Sequence, residues 1–167
     1  MRVIRFGLVV ALLSTIGCGG MGNPNTQPDA VAANVAKYGT DAVDLVTAAQ
    51  KVINSYAIAQ GGRTPETDAP SRIITDQVIP AATRLSTVLK TYAATTDVNL
   101  KTATAKQILE ALNSYEATVT AAIGRDAKVP PGLANQLAAS VTNIRDLIVA
   151  IRNTFGGQPT STLQPAV

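Results

Sequence analysis

Histidine and tryptophan are absent from the 167 residues, cysteine occurs once, and only 4% of the chain is aromatic. Without histidine there is no Ser-His-Asp or Cys-His relay, no facial triad and no imidazole-bound zinc. A single cysteine allows neither an internal disulfide nor a thiolate cluster. Glutamate stands only at Glu66, Glu110 and Glu116, so the paired Glu and Glu-x-x-His motifs of di-iron helical proteins are missing. No metal, no cofactor and no catalytic activity are therefore expected. What is abundant is apolar side chain, at 46% of residues, enough to furnish the core of one domain at the usual size of about 150 residues.

Long hydrophobic runs are also scarce, and the one that exists lies at the start. Arg2 and Arg5 precede the uncharged stretch Phe6 to Ile16. At about 1.5 Å per residue this run reaches roughly 16 Å, half of a hydrocarbon core, which makes it a signal-peptide h-region rather than a span. It closes on Thr15-Ile16-Gly17-Cys18, which resembles a bacterial lipobox, with Thr15 where that motif usually carries Leu. The resemblance covers residues 1–18 alone. It implies cleavage before Cys18, a diacylglyceryl group on the Cys18 thiol, usually acylation of the new amine, and a membrane anchor. Gly19 rather than Asp after the cysteine implies, by the same resemblance, sorting to the outer membrane of the cell envelope.

Loss of residues 1–17 removes Arg2 and Arg5, so the 14 basic side chains become 12 against 11 acidic ones, and the formal charge falls from +3 to +1. The sequence pI near 9.2 thus owes much to the leader. The remaining charges are scattered singly, unlike the clustered Lys and Arg of a nucleic-acid surface, and no nucleic acid is expected as a partner. Residues 18–28 (CGGMGNPNTQP) read as a flexible tether that holds the domain about 15–20 Å from the lipid. Residues 156–167 (GGQPTSTLQPAV) read as a disordered tail.

Between tether and tail the apolar residues follow a 3.5-residue period. Val31, Val35, Tyr38, Ala42, Leu45, Ala49, Val52, Tyr56 and Ala59 step by four and three; so do Ile74, Val78, Ala81, Leu85, Val88 and Tyr92. The third series is Ile108, Leu112, Tyr115, Val119 and Ala122, and the fourth is Leu133, Leu137, Val141, Ile144, Ile148, Ile151 and Phe155. Such periods mark helices packing along a left-handed seam. With Asp29, Asp68 and Asp97 as N-caps and Gly61-Gly62, Pro130-Pro131 and Gly156 as breakers, they predict helices over about 29–60, 69–95, 98–126 and 131–155. The expected fold is all-α, an antiparallel up-down-up-down four-helix bundle over residues 29–155, because short connections reverse the chain.

Pro80 is expected to kink the second helix, whereas the series running unbroken through Gly39 predicts a continuous first helix. A kink could open the wall beside Tyr38 and Tyr92, so Tyr38, Tyr92 and Pro80 form a candidate pocket. Packing is the plainer reading for the tyrosines, solvent exposure for Glu110 and Glu116, and a flank position for the threonine row 83, 87, 91 and 95. The function expected is that of a non-enzymatic envelope lipoprotein, a helical spacer or docking module for an envelope protein partner. A bundle that binds a small apolar or peptide ligand, and an exclusion lipoprotein of a phage or plasmid, are the alternatives.

Overall fold

A computed structural model of the chain describes residues 28–157 and 160–165. The leader, the lipobox residues Thr15, Ile16, Gly17 and Cys18, the tether and the side chain of Asp29 lie outside the described residues. The rest forms four helical stretches. These are α1 (Pro28–Ala59); α2 (Pro65–Ile73), which runs through a π-turn at Ile74–Val78 into α3 (Ile79–Ala94); α4 (Val98–Ile123); and α5 (Pro131–Phe155). Among the described residues there is no strand, only an isolated antiparallel bridge between Gly124 and Pro165.

Local chemistry sets the ends. Gly61 and Gly62 take φ of +84° and +142° beyond α1, a region that L side chains avoid. The Asp97 carboxylate accepts the amides of Asn99 at 2.8 Å and Leu100 at 2.9 Å, capping α4. Gly156, at φ +74°, ends α5, and the Arg152 carbonyl accepts the amides of Gly156 and Gly157.

Two boundaries differ from the sequence expectation. The second helix opens at Pro65 rather than near residue 69, because the Thr64 amide donates to Thr67 Oγ1 at 2.9 Å, the reach-back half of a capping box. Asp68 is consequently inside the helix, where it pairs with Arg63 at 3.4 Å and Arg72 at 2.7 Å instead of capping. The third helix stops at Ile123, short of residue 126, with Gly124 buried.

One core joins all four stretches. Every position expected to face inward on α4 is buried, and so are Leu133, Leu137, Val141, Ile144, Ile148 and Ile151 on α5. On α1 the buried face is Val35, Ala42, Val46, Ala49 and Ile53, while Tyr38, Leu45, Val52 and Tyr56 are half-buried beside it and Ala59 is exposed. The backbone neighbours are α1 with α3 and α5, and α4 with α3 and α5. A helix flanked on two sides buries a stripe wider than a single coiled-coil seam. α1 is continuous through Gly39, as expected, and a Cβ there would sit 3.1 Å from the Cα, carbonyl oxygen and Oγ of Ser86. Gly39 therefore marks the close approach of α1 to α3.

The largest departure is the tail, expected to be disordered. Thr160–Pro165 folds back along α4, and Leu163 is 0% exposed as a member of the core. A single leucine supplies the apolar burial that the polar composition of this segment concealed.

Candidate functional site

The densest cluster of buried polar groups lies where this tail crosses α4. Glu116 sits on the face of α4 next to Tyr115 and is buried, contrary to the solvent-facing role expected for it, whereas Glu110 is exposed. Glu116 Oε1 accepts from Ser161 Oγ at 2.7 Å, from the Thr162 amide at 2.7 Å and from Thr162 Oγ1 at 3.2 Å. Its Oε2 accepts from the Arg152 guanidinium, reaching across from the last turn of α5. Arg152 also donates to Asn113 Oδ1 at 3.1 Å and to the carbonyl of Thr160. One carboxylate and one guanidinium thus tie α4, α5 and the tail together.

Burial alone would raise the Glu116 carboxyl above its ordinary 4.5, but the bonds from Ser161 and Thr162 and the charge of Arg152 outweigh it and hold the group below that value. A general acid needs the opposite shift. With both oxygens taken up by donors, Glu116 is placed to hold the chain and not to move a proton.

A second buried polar contact crosses the core. Tyr115, fully buried on α4, donates its hydroxyl to the carbonyl of Ala42 on α1 at 3.3 Å, and burial raises its ionisation well above the usual phenol range. A void in the core, lined by Val46, Ile74, Val119 and Ile144 among others, has no room for a water molecule.

The comparisons with known proteins add nothing to this geometry. No protein-family model, curated protein or solved structure matches the chain.

The candidate pocket residues belong to two stretches, Tyr38 to α1 and Pro80 and Tyr92 to α3. Pro80 is exposed at the start of α3 and Tyr92 stands twelve residues later, about 18 Å along the axis. Tyr92 packs edge-on against Phe155 with ring centroids 4.9 Å apart, and Lys101 Nζ lies 5.5 Å from the Tyr92 ring centre. Tyr38 is half-buried against the core. The threonine row keeps its flank position: Thr83, Thr87, Thr91 and Thr95 each donate to the carbonyl four residues earlier, at 2.9, 2.9, 2.9 and 2.7 Å. Their protons are spent on the helix itself. Among the described residues, no cluster of three or more His, Cys, Asp or Glu could hold a metal ion, and no helix is long and apolar enough to cross a membrane.

Glu116 was expected to face solvent, and Arg152 and Ser161-Thr162-Leu163 carried no expectation of a site. The one available signal was Leu163, a large apolar side chain alone in a polar tail.

Proposed function

We propose that the chain is a lipid-anchored protein of the bacterial cell envelope, tethered through Cys18, whose helical domain serves as a spacer and docking module without catalytic activity. The observation that carries this reading is the sole cysteine of the chain, placed where an apolar leader ends. The domain's polar chemistry is in keeping with it, since the buried carboxylate and phenol and the half-buried guanidinium are each engaged in holding helices together. A small apolar ligand gains no support from a core whose void excludes even water.

The finer architecture proposed is the antiparallel up-down-up-down bundle. Three pairs support it: Gly39 with Ser86, Gln50 Nε2 donating to Ser71 Oγ at 2.7 Å, and Gly132 lying against the Tyr56 ring. From Gly39 to Gln50 the partners of α1 on the next stretch run backward from Ser86 to Ser71, and the end of α1 meets the start of α5. A stretch of 26 residues such as α4 gives the rod a length of about 39 Å.

The test is the mass of the mature protein together with its fractionation. An N-terminal diacylglyceryl-cysteine on a membrane-bound chain, lost with release of the protein in Cys18→Ala, is the expected result. A mature chain with an unmodified thiol, free of the membrane, would refute the anchor.

A further inference from the structure

Four large apolar side chains are exposed among the described residues, and three of them share one end of the domain. Val98 and Leu100, 76% and 60% exposed, occupy the first turn of α4, directly after the Thr95–Asp97 connection from α3. Val31, 41% exposed, is in the first turn of α1. Because Gly39 lies against Ser86 and Gln50 reaches Ser71, the start of α1 falls beside the end of α3, where Tyr92 also meets Phe155 from the end of α5. The fourth, Ile58, lies near the other end of α1, among Asn54, Gly62 and Arg63.

Three lysines near the apolar end carry charge without a carboxylate partner: Lys90, Lys101 and Lys106 make no ion pair among the described residues, while Lys37 is paired with Asp41 at 3.2 Å. The carboxylate nearest Val98 and Leu100 is that of Asp97, which is engaged with the amides of α4. Residue 28 enters α1 at this same end, so the segment carrying Cys18 joins the domain here.

We propose that this end of the domain is a lipid-contacting surface, on which Val31, Val98 and Leu100 dip into the interface of an anionic membrane while Lys90, Lys101 and Lys106 meet its phosphate headgroups. The proposal rests on anchoring through Cys18. Exposed apolar groups rimmed by lysine suit the headgroup boundary, where apolar burial and attraction to anionic lipid add. At no more than about 3.3–3.6 Å per residue, the ten residues from Cys18 to α1 span at most roughly 35 Å, which keeps the domain within reach of the bilayer and lets that contact orient it. The domain then stands end-on, with Ile58 and Arg63 at the far pole.

The experiment uses the full acylated chain in vesicles of phosphatidylethanolamine and phosphatidylglycerol, with a fluorophore on Val98→Cys, Leu100→Cys, Val31→Cys or Ile58→Cys. Lipid-borne nitroxide and aqueous iodide serve as quenchers. Nitroxide quenching several-fold stronger at 98, 100 and 31 than at 58, reduced when lysines 90, 101 and 106 are replaced by Gln, is the expected result. Equal nitroxide quenching at both poles, on a chain whose mass shows the acyl group, overturns the lipid contact and leaves the anchor standing. Shielding of the three sites from both quenchers means a protein covers them and likewise overturns it. An unacylated mature chain overturns the anchor, and the lipid contact with it.

Discussion

At the scale of single residues, buried polar groups in this domain act as fasteners. Glu116 demonstrates this through pH. Its folded ionisation lies below the ordinary 4.5, so the stability it contributes is fully present above that value and drains away as the pH falls through the lowered folded pKa. Glu116→Gln keeps the shape and removes the charge, and is expected to cost about 1.5–3 kcal/mol at neutral pH, the range for hydrogen bonds to a charged group. Urea titrations at pH 7 and pH 3 should show the gap between wild type and variant narrowing in acid. Gly39 fastens by omission. Its neighbours at 3.1 Å include the backbone of Ser86, which cannot rotate away as a side-chain tip could. Gly39→Val is therefore expected to lower stability by about 1–3 kcal/mol, the usual cost of overpacking, despite the poor helix propensity of glycine. A thermal melt no lower than that of the wild type would show that α1 and α3 can move apart without loss.

At the scale of elements, α4 and α5 were legible in the sequence because the inward positions read there, Ile108 to Ala122 and Leu133 to Ile151, are all buried. The second stretch was not, and the reason is physical. Its buried positions Pro70, Ile74, Val78 and Ala82 advance by three successive four-residue steps. In an α-helix of 3.6 residues per turn these would swing the face by about 120°. The π-turn at Ile74–Val78, where the Ile79 amide donates to the Ile74 carbonyl, takes up about one extra residue, roughly 100°, and returns the face to the core. This shift is why Ala82 and Leu89 are buried while Ala81 and Val88 are only half-buried. It also accommodates Pro80, whose ring would otherwise press on the carbonyl of Asp76. Where a kink was expected, the helix changes its turn just ahead of the proline. Deleting Gln77, which is exposed, should convert the π-turn to an α-turn with the flanking register kept, but at about 3 kcal/mol because Pro80 then sits in a regular helix. Adding Pro80→Ala should recover most of that loss, whereas Pro80→Ala alone should change stability by less than about 1 kcal/mol. Denaturant midpoints of the four proteins close the cycle, and additive effects would contradict the coupling of π-turn and proline.

At the scale of the whole molecule, the helical domain is completed by the chain that follows it. Composition hid this, because a segment rich in Gly, Pro, Ser and Thr reads as tail, and neither the pairing of Thr162 with Glu116 nor the slot for Leu163 has any local signature. Leu163 belongs to the core, and Leu163→Ala is expected to cost about 2–4 kcal/mol, as for other leucines removed from cores. Ending the chain after Gly157 goes further. It removes Leu163, the three donors to Glu116 Oε1 and the Thr160 carbonyl that accepts from Arg152, leaving one carboxylate and one guanidinium with fewer partners. Domains of this size are stable by only about 5–15 kcal/mol, so the shortened chain should still fold, but with a denaturant midpoint below that of Leu163→Ala. Hydrogen exchange gives the location. Amides of α4 from Asn113 to Ile123 and of the last turn of α5 should lose protection first, while those of α1 facing α3 should change least, since the tail's hydrogen bonds run to Glu116 on α4 and Arg152 on α5. Equal stability of the shortened and full-length chains, with α4 protection unchanged, would mean that the tail lies on the domain without closing it.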